Sequence, residues 1–168
     1  MLRVILGFGA NLGDPGAAFA GALDALADEG WVIATSRLWQ TRAVGPEQPD
    51  YLNAAAVIHW SGGSPRALLE RCRALEREAG RDRTNEERWG PRLLDLDILL
   101  AEGVVCAGPD LRLPHPRFHE RRFALEPAAE VAPGWVHPLI GRTVEELAED
   151  ARPARDDGTV IAVDPDFS

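Results

Sequence analysis

Two dipeptides, Asp14-Pro15 and Ser64-Pro65, constrain this chain's fold more than anything else in it. Each pairs a helix-capping side chain with a proline preset for a first helical turn. Each follows an apolar, β-rich run. The first run is 2–8; residues 31–40 and 51–60 give two more, and 93–101 a fourth. The first helix extends to about residue 28, with Phe19, Leu23 and Leu26 at helical spacing. The second covers 65–79 and stops at Gly80. Residues 42–50 and 81–92 lack periodicity and read as loops. A short strand near 103–106 follows, then a Pro-rich loop over 109–117. Short helices near 119–129 and over 143–150 precede a polar tail.

The order is β-α-β-β-α-β with C-terminal additions. This α+β, ferredoxin-like pattern predicts an antiparallel sheet with helices on one face. The 168 residues suit a single domain spanning 1–168. No apolar run is long enough to cross a membrane, and the N-terminal segment reads as a strand, not a signal peptide. Cys72 and Cys106 have no metal-like spacing and fit buried or half-buried thiols in a reducing compartment. A cytoplasmic location is expected.

The net charge is −9, which opposes binding to nucleic acid or anionic membranes. The strands also lack the exposed aromatics of an RNA-reading sheet. All 18 basic residues are Arg. A Walker lysine, a kinase strand lysine and a Schiff-base lysine are therefore excluded. Any phosphate handled here meets Arg, backbone N–H groups or metal.

The sharpest chemical signal is Arg92-Leu93-Leu94-Asp95-Leu96-Asp97-Ile98. On a strand Asp95 and Asp97 share one face, about 7 Å apart, while Leu94, Leu96 and Ile98 take the other. Such a carboxylate pair suits Mg²⁺, which fills its shell with waters and phosphates. A solvated strand face is the other reading. Just upstream, Arg81, Arg83, Arg88 and Arg92 lie within 12 residues. Guanidinium forks grip phosphate in a bidentate way, although these Arg can equally pair with Asp82, Glu86 and Glu87. His115, stiffly held between Pro114 and Pro116 beside Arg117, reads as a phosphate or general-acid group, with a structural His as the other reading. His59 and His137 read as structural. Tyr51 and Asn53 share a strand face and could stack on and read a flat heterocycle, or be a half-exposed strand end. The Gly7–Gly13 turn lacks the Walker pattern; Gly9 lets a ligand approach the backbone.

Together these segments resemble the 6-hydroxymethyl-7,8-dihydropterin pyrophosphokinase family. The resemblance rests on Phe8–Gly13, Pro49–Ala55, Arg88–Ile98, Leu113–Arg117 and Arg121–Phe123, and covers roughly residues 4–133. It implies transfer of diphosphate from ATP to a hydroxymethyl pterin, in folate synthesis. Two Mg²⁺ ions would sit on Asp95 and Asp97. Arg81, Arg83, Arg92, His115 and Arg121 match positions that hold ATP phosphates, with Arg83 and Arg92 also in catalysis. Trp89 matches a closing-loop residue, and Glu76 and Ile98 match positions near the nucleotide. Tyr51 and Phe123 match an aromatic pair around the pterin, and Asn53 its edge reader. Gly9, Thr41, Ala43 and Val44 fall along the same subsite. Asp110 and Arg112 depart from the family pattern and are left out of the site.

The implied chemistry relies on alignment and charge neutralisation, with no evident strong base. A metal-dependent phosphohydrolase on the same carboxylates is the rival enzyme; a ferredoxin-like binding module is the rival non-enzyme. ATP and the pterin are the expected partners, without nucleic acid or membrane, for a monomer.

Overall fold

A computed structural model describes residues 1–43, 47–80, 91–152 and the backbone of 160–164. The sequence-predicted candidates Val44, Arg81, Arg83 and Trp89 lie outside the described residues.

The described elements run β1 (Leu2–Ala10), α1 (Pro15–Leu26), β2 (Gly30–Thr35), β3 (Leu38–Thr41), β4 (Tyr51–Trp60), α2 (Pro65–Glu78) and β5 (Asp95–Ala101). A hairpin of β6 (Cys106–Ala107) and β7 (Arg112–Leu113) comes next. Then follow a 3-10 turn at Phe118–Glu120, α3 (Arg122–Val131), α4 (Val144–Ala151) and β8 (Val160–Asp164). The main sheet has the order β5-β1-β4-β3-β8, with β2 also paired to β4, and every pairing is antiparallel.

Both helix starts follow from their caps. The Asp14 carboxylate accepts from Ala17 N at 3.1 Å, and the Ser64 hydroxyl from Ala67 N at 3.2 Å. Each satisfies a donor that a helix's first turn leaves orphaned. Gly80, at φ 99°, ends α2 in the left-handed region that glycine tolerates. In α4 the cap is reciprocal: Thr143 and Glu146 each accept from the other's backbone.

Strand alternation then separates two cores. Val4, Leu6, Phe8, Ala54, Ala56, Ile58, Leu96 and Ile98 face α1 and α2, closing on Phe19, Leu26, Leu68 and Cys72. Ile5, Ala55, Val57, Leu99 and Leu100 face the other way, onto Phe118, Leu125, Ala128, Val144 and Leu147. Helices thus cover both faces, where the sequence predicts cover on one. The physical reason is Ile5 and Val57, which would otherwise leave apolar surface in water. Removing a buried Leu such as Leu125 costs about 2–5 kcal/mol.

Three further corrections concern strands. The single strand expected over 31–40 is broken at Ser36, which is 1% exposed. Its hydroxyl accepts from Ala55 N at 2.9 Å and donates to Arg37 O at 2.7 Å, standing in for a ladder bond. The polar tail contains β8, which adds to β3 at the sheet edge. Trp31, on β2, is an exposed strand aromatic (56%), contrary to the expectation that the strands carry none.

Candidate active site

At one end of the sheet, β1 and β3 finish where β4 and β5 begin. Register places Asp95 opposite Gly9, Gly9 opposite Asn53, and Asn53 opposite Trp39. The next row pairs Asp97 with Gly7. These residues lie on the sheet face that α3 covers further along. The carboxylates therefore share a face as the alternation predicts, and Leu94, Leu96 and Ile98 are buried behind them.

The floor between these groups is Gly9. A Cβ there would sit 3.5 Å from Asn53 Oδ1, 3.8 Å from Asp95 Cβ and 4.0 Å from Tyr51 Cδ1. The missing methyl opens a cradle that touches a carboxylate residue, an amide and an aromatic ring at once. Asn53, 5% exposed, donates from Nδ2 to Thr41 Oγ1 at 2.9 Å, which leaves Oδ1 on the Gly9 side. The amide thus presents an acceptor to the cradle, as reading an N–H edge requires. Asp50 arranges the preceding loop, accepting from Gln40 Nε2 at 3.1 Å and Ala43 N at 3.3 Å.

Two Arg and a His surround the carboxylates. Arg92 has a side chain only 10% exposed, with Nε 3.9 Å from Asp95 Oδ1. His115 N donates to Leu99 O at 2.8 Å, which holds the loop after β7 against β5. His115 Nδ1 accepts from Arg117 N at 3.2 Å, so the neutral ring carries its proton on Nε2. Burial lowers the His115 pKa below the ordinary value, against the pull of Asp97. Burial also lowers the Arg121 pKa, again opposed by Asp97. The Arg121 guanidinium stands 5.6 Å from the Phe123 ring centre, and Phe123 is 38% exposed.

The structure brings Gly9, Thr41, Tyr51, Asn53, Asp95 and Asp97 to one end of one face, with Arg92, His115, Arg121 and Phe123 around them. It turns the side chain of Ile98 away from there. Ile98 is 5% exposed in the core with Leu94 and Leu96. Glu76, on α2, is 2% exposed near Cys72, whose thiol is pushed up to about 12 by burial and then by the charges of Glu76 and Asp97. The backbone of Arg92 is held by Asn11, a residue that in the sequence stands only as part of a glycine turn. Asn11, 6% exposed, ties Arg92 to the loop before β4. A polar amide between Gly9 and Gly13 is the signal that could have found it.

Among the described residues no group of three or more His, Cys, Asp or Glu could hold a metal. Two strand carboxylates over a Cβ-free floor still fit Mg²⁺, which needs one or two carboxylates and takes its other ligands from water and phosphate.

The profile of the 7,8-dihydro-6-hydroxymethylpterin-pyrophosphokinase (HPPK) family matches residues 5–133. The 2-amino-4-hydroxy-6-hydroxymethyldihydropteridine pyrophosphokinase of Methylorubrum extorquens is 40% identical over 156 residues, 92% of this chain and 96% of that one. Its Synechocystis counterpart is 39% identical over 147 residues, 86% of this chain and 74% of that one. The structure of Plasmodium falciparum HPPK-DHPS, wild type with pteroate, superposes with a TM-score of 0.67 at 11% identity. It covers 90% of this chain and 44% of that longer chain, and the likeness is one of fold. By class, then, this chain is a diphosphotransferase. It belongs to the 7,8-dihydro-6-hydroxymethylpterin-pyrophosphokinase family.

Proposed function

We infer that this chain transfers the β,γ-diphosphate of ATP to the hydroxymethyl oxygen of 6-hydroxymethyl-7,8-dihydropterin, a step of folate biosynthesis. The observation that supports the reading is the row Asp95–Gly9–Asn53, in which a carboxylate suited to Mg²⁺ and an amide suited to a heterocycle's edge flank the glycine of the strand between them. A nucleotide polyphosphate on one side and a flat ring on the other would meet over Gly9.

The pterin would lie between Tyr51 and Phe123, with Asn53 and Thr41 at its edge. Stacking fixes the ring plane, and the amide fixes its rotation. The hydroxymethyl oxygen then attacks the β-phosphorus. The bond from that phosphorus to the α-phosphate oxygen breaks, AMP departs, and the hydroxyl proton passes to solvent. Asp95 and Asp97 are the residues that would hold two Mg²⁺ ions. Bound there, such ions supply charge neutralisation on the diphosphate oxygens. Arg92, His115 and Arg121 would orient the phosphates, His115 through its Nε2–H. Arg81, Arg83 and Trp89 keep the roles the resemblance implies, as does Val44.

No helix among the described residues is long and apolar enough to cross a membrane. Two free thiols fit a cytoplasmic location.

Phosphorus NMR of ATP, Mg²⁺ and the chain tests the reading. AMP and a pterin diphosphate should form together, and only when the hydroxymethyl pterin is present. Phosphate released from ATP without pterin would replace the reading with hydrolysis.

A further inference from the structure

Helix α3 carries Phe123 in its first turn and Glu130 near its end. The Glu130 carboxylate meets three donors from one short stretch of chain. Trp39 Nε1 donates to Oε1 at 2.5 Å, Arg37 N donates to Oε2 at 3.2 Å, and Arg37 Nε donates to Oε1 at 3.2 Å. The Arg37 guanidinium also stands 5.4 Å from the Trp39 ring centre. Exposed ion pairs contribute little on their own. This one recruits a backbone N–H and an indole as well, and the Glu130 side chain is 24% exposed.

What the clamp joins matters more than its strength. Trp39 is the cross-strand partner of Asn53, and its carbonyl accepts a long bond from Asn53 Nδ2 at 3.5 Å. Two residues on, Thr41 takes the shorter bond from the same amide. One end of the clamp is therefore the strand that seats the edge reader. The other is the helix that delivers Phe123.

We propose that Glu130 is a positioning residue for the pterin. It acts through Trp39 and Arg37 to fix the spacing of α3 from β3, and with it the gap the ring enters. The proposal rests on the ring slot assigned above to Tyr51, Asn53 and Phe123. The contacts of Glu130 among the described residues run to Arg37 and Trp39, on the β3 side of the slot, so its effect should fall on the ring and spare the nucleotide.

Equilibrium titration of the full chain separates positioning from mere support. The probes are 6-hydroxymethylpterin and the magnesium complex of α,β-methylene-ATP. Glu130→Ala should raise the pterin Kd about tenfold or more and leave the nucleotide Kd within about twofold. Glu130→Gln, which keeps an acceptor for Trp39 and Arg37, should restore pterin affinity to within about threefold of the parent. Tyr51→Ala is the control on the slot. If it weakens pterin binding and a folded Glu130→Ala does not, the clamp proposal alone is wrong. If neither weakens it, the slot and the proposal fall together. Equal losses for pterin and nucleotide in Glu130→Ala would make Glu130 a general support and overturn the proposal. Should Glu130→Ala not fold, Trp39→Phe carries the comparison, because it keeps a smaller aromatic ring on β3 and removes the indole N–H. A rise of about threefold or more, confined to the pterin, supports the clamp, and an unchanged pterin Kd overturns it.

Discussion

Asn11 and Arg92 grip each other across 81 positions of sequence. Asn11 N donates to Arg92 O at 3.0 Å, and Arg92 N donates to Asn11 Oδ1 at 2.9 Å. The same side chain donates from Nδ2 to Gln48 Oε1 and to Pro49 O, both at 2.8 Å. One buried amide thus joins the approach to β5, where the carboxylates begin, to the approach to β4, where Tyr51 stands.

Asn11→Ala should therefore cost stability and activity together. It leaves the Arg92 N–H without its side-chain acceptor in a half-buried place, and an unmet buried group costs about 1–3 kcal/mol. It also frees two approaches that should hold nucleotide and ring in register. Denaturant melts together with kcat/KM for each substrate check this. A variant as stable and as active as the parent would show that the amide is decoration.

The carboxylate pair gives a sharper expectation. Asp95→Ala or Asp97→Ala should slow turnover about a hundredfold or more at saturating Mg²⁺. The fold should survive, because Asp97 is exposed and Asp95 only half-buried at the start of an edge strand. Circular dichroism reads the fold, and AMP release reads the rate. Near-parental turnover in both variants would remove these residues from the metal assignment.

The contrast between these two residue sets explains what was legible in the sequence. Asp95 and Asp97 declare themselves because strand period alone puts them on one face. The Pro-marked helices declare themselves because their caps are local. The break at Ser36 depends on Ala55, the clamp at Trp39 on Glu130, and the grip on Arg92 on Asn11. Each needs the distance between elements far apart in sequence, which no local pattern carries. The second helical layer was hidden for a related reason: Ile5 and Val57 read as ordinary strand residues until the opposite face is known to be full. β8 was hidden because Val160–Asp164 is short and its partner β3 lies more than a hundred positions earlier.

The ring slot is testable apart from the phosphates. Tyr51→Ala and Phe123→Ala should each weaken pterin binding by about 1–3 kcal/mol, the scale of base–aromatic stacking. Nucleotide binding should change little, since neither ring carries charge. Phe123 is also the platform of the Arg121 guanidinium, so its loss can loosen one phosphate contact. Tyr51, on β4, stands beside Gly9 and probes the ring from the strand side. Calorimetry that found the loss in nucleotide affinity for Tyr51→Ala would move the ring elsewhere.

His115 yields a prediction with a definite sign in pH. Its folded pKa lies below the ordinary 6.5, chiefly because the ring is buried. The unfolded chain therefore binds this proton more readily than the folded one. Its contribution to stability is fully present above about pH 6.5 and is lost as pH falls through the window below it. The geometry gives the same direction. Protonation puts a hydrogen on Nδ1, which must then stop accepting from Arg117 N, and the turn into Phe118 loses a bond. His115→Gln removes the titration and keeps a neutral side-chain donor near the position of Nε2–H. Between pH 7.5 and 5.5 the parent should lose more stability than this variant, and above pH 7 the two curves should run parallel. An NMR titration of the ring should place its midpoint below 6.5. A midpoint above 6.5, or a parent that gains stability relative to the variant as pH falls, would mean that the ring is held as a cation by Asp97 rather than kept neutral by burial.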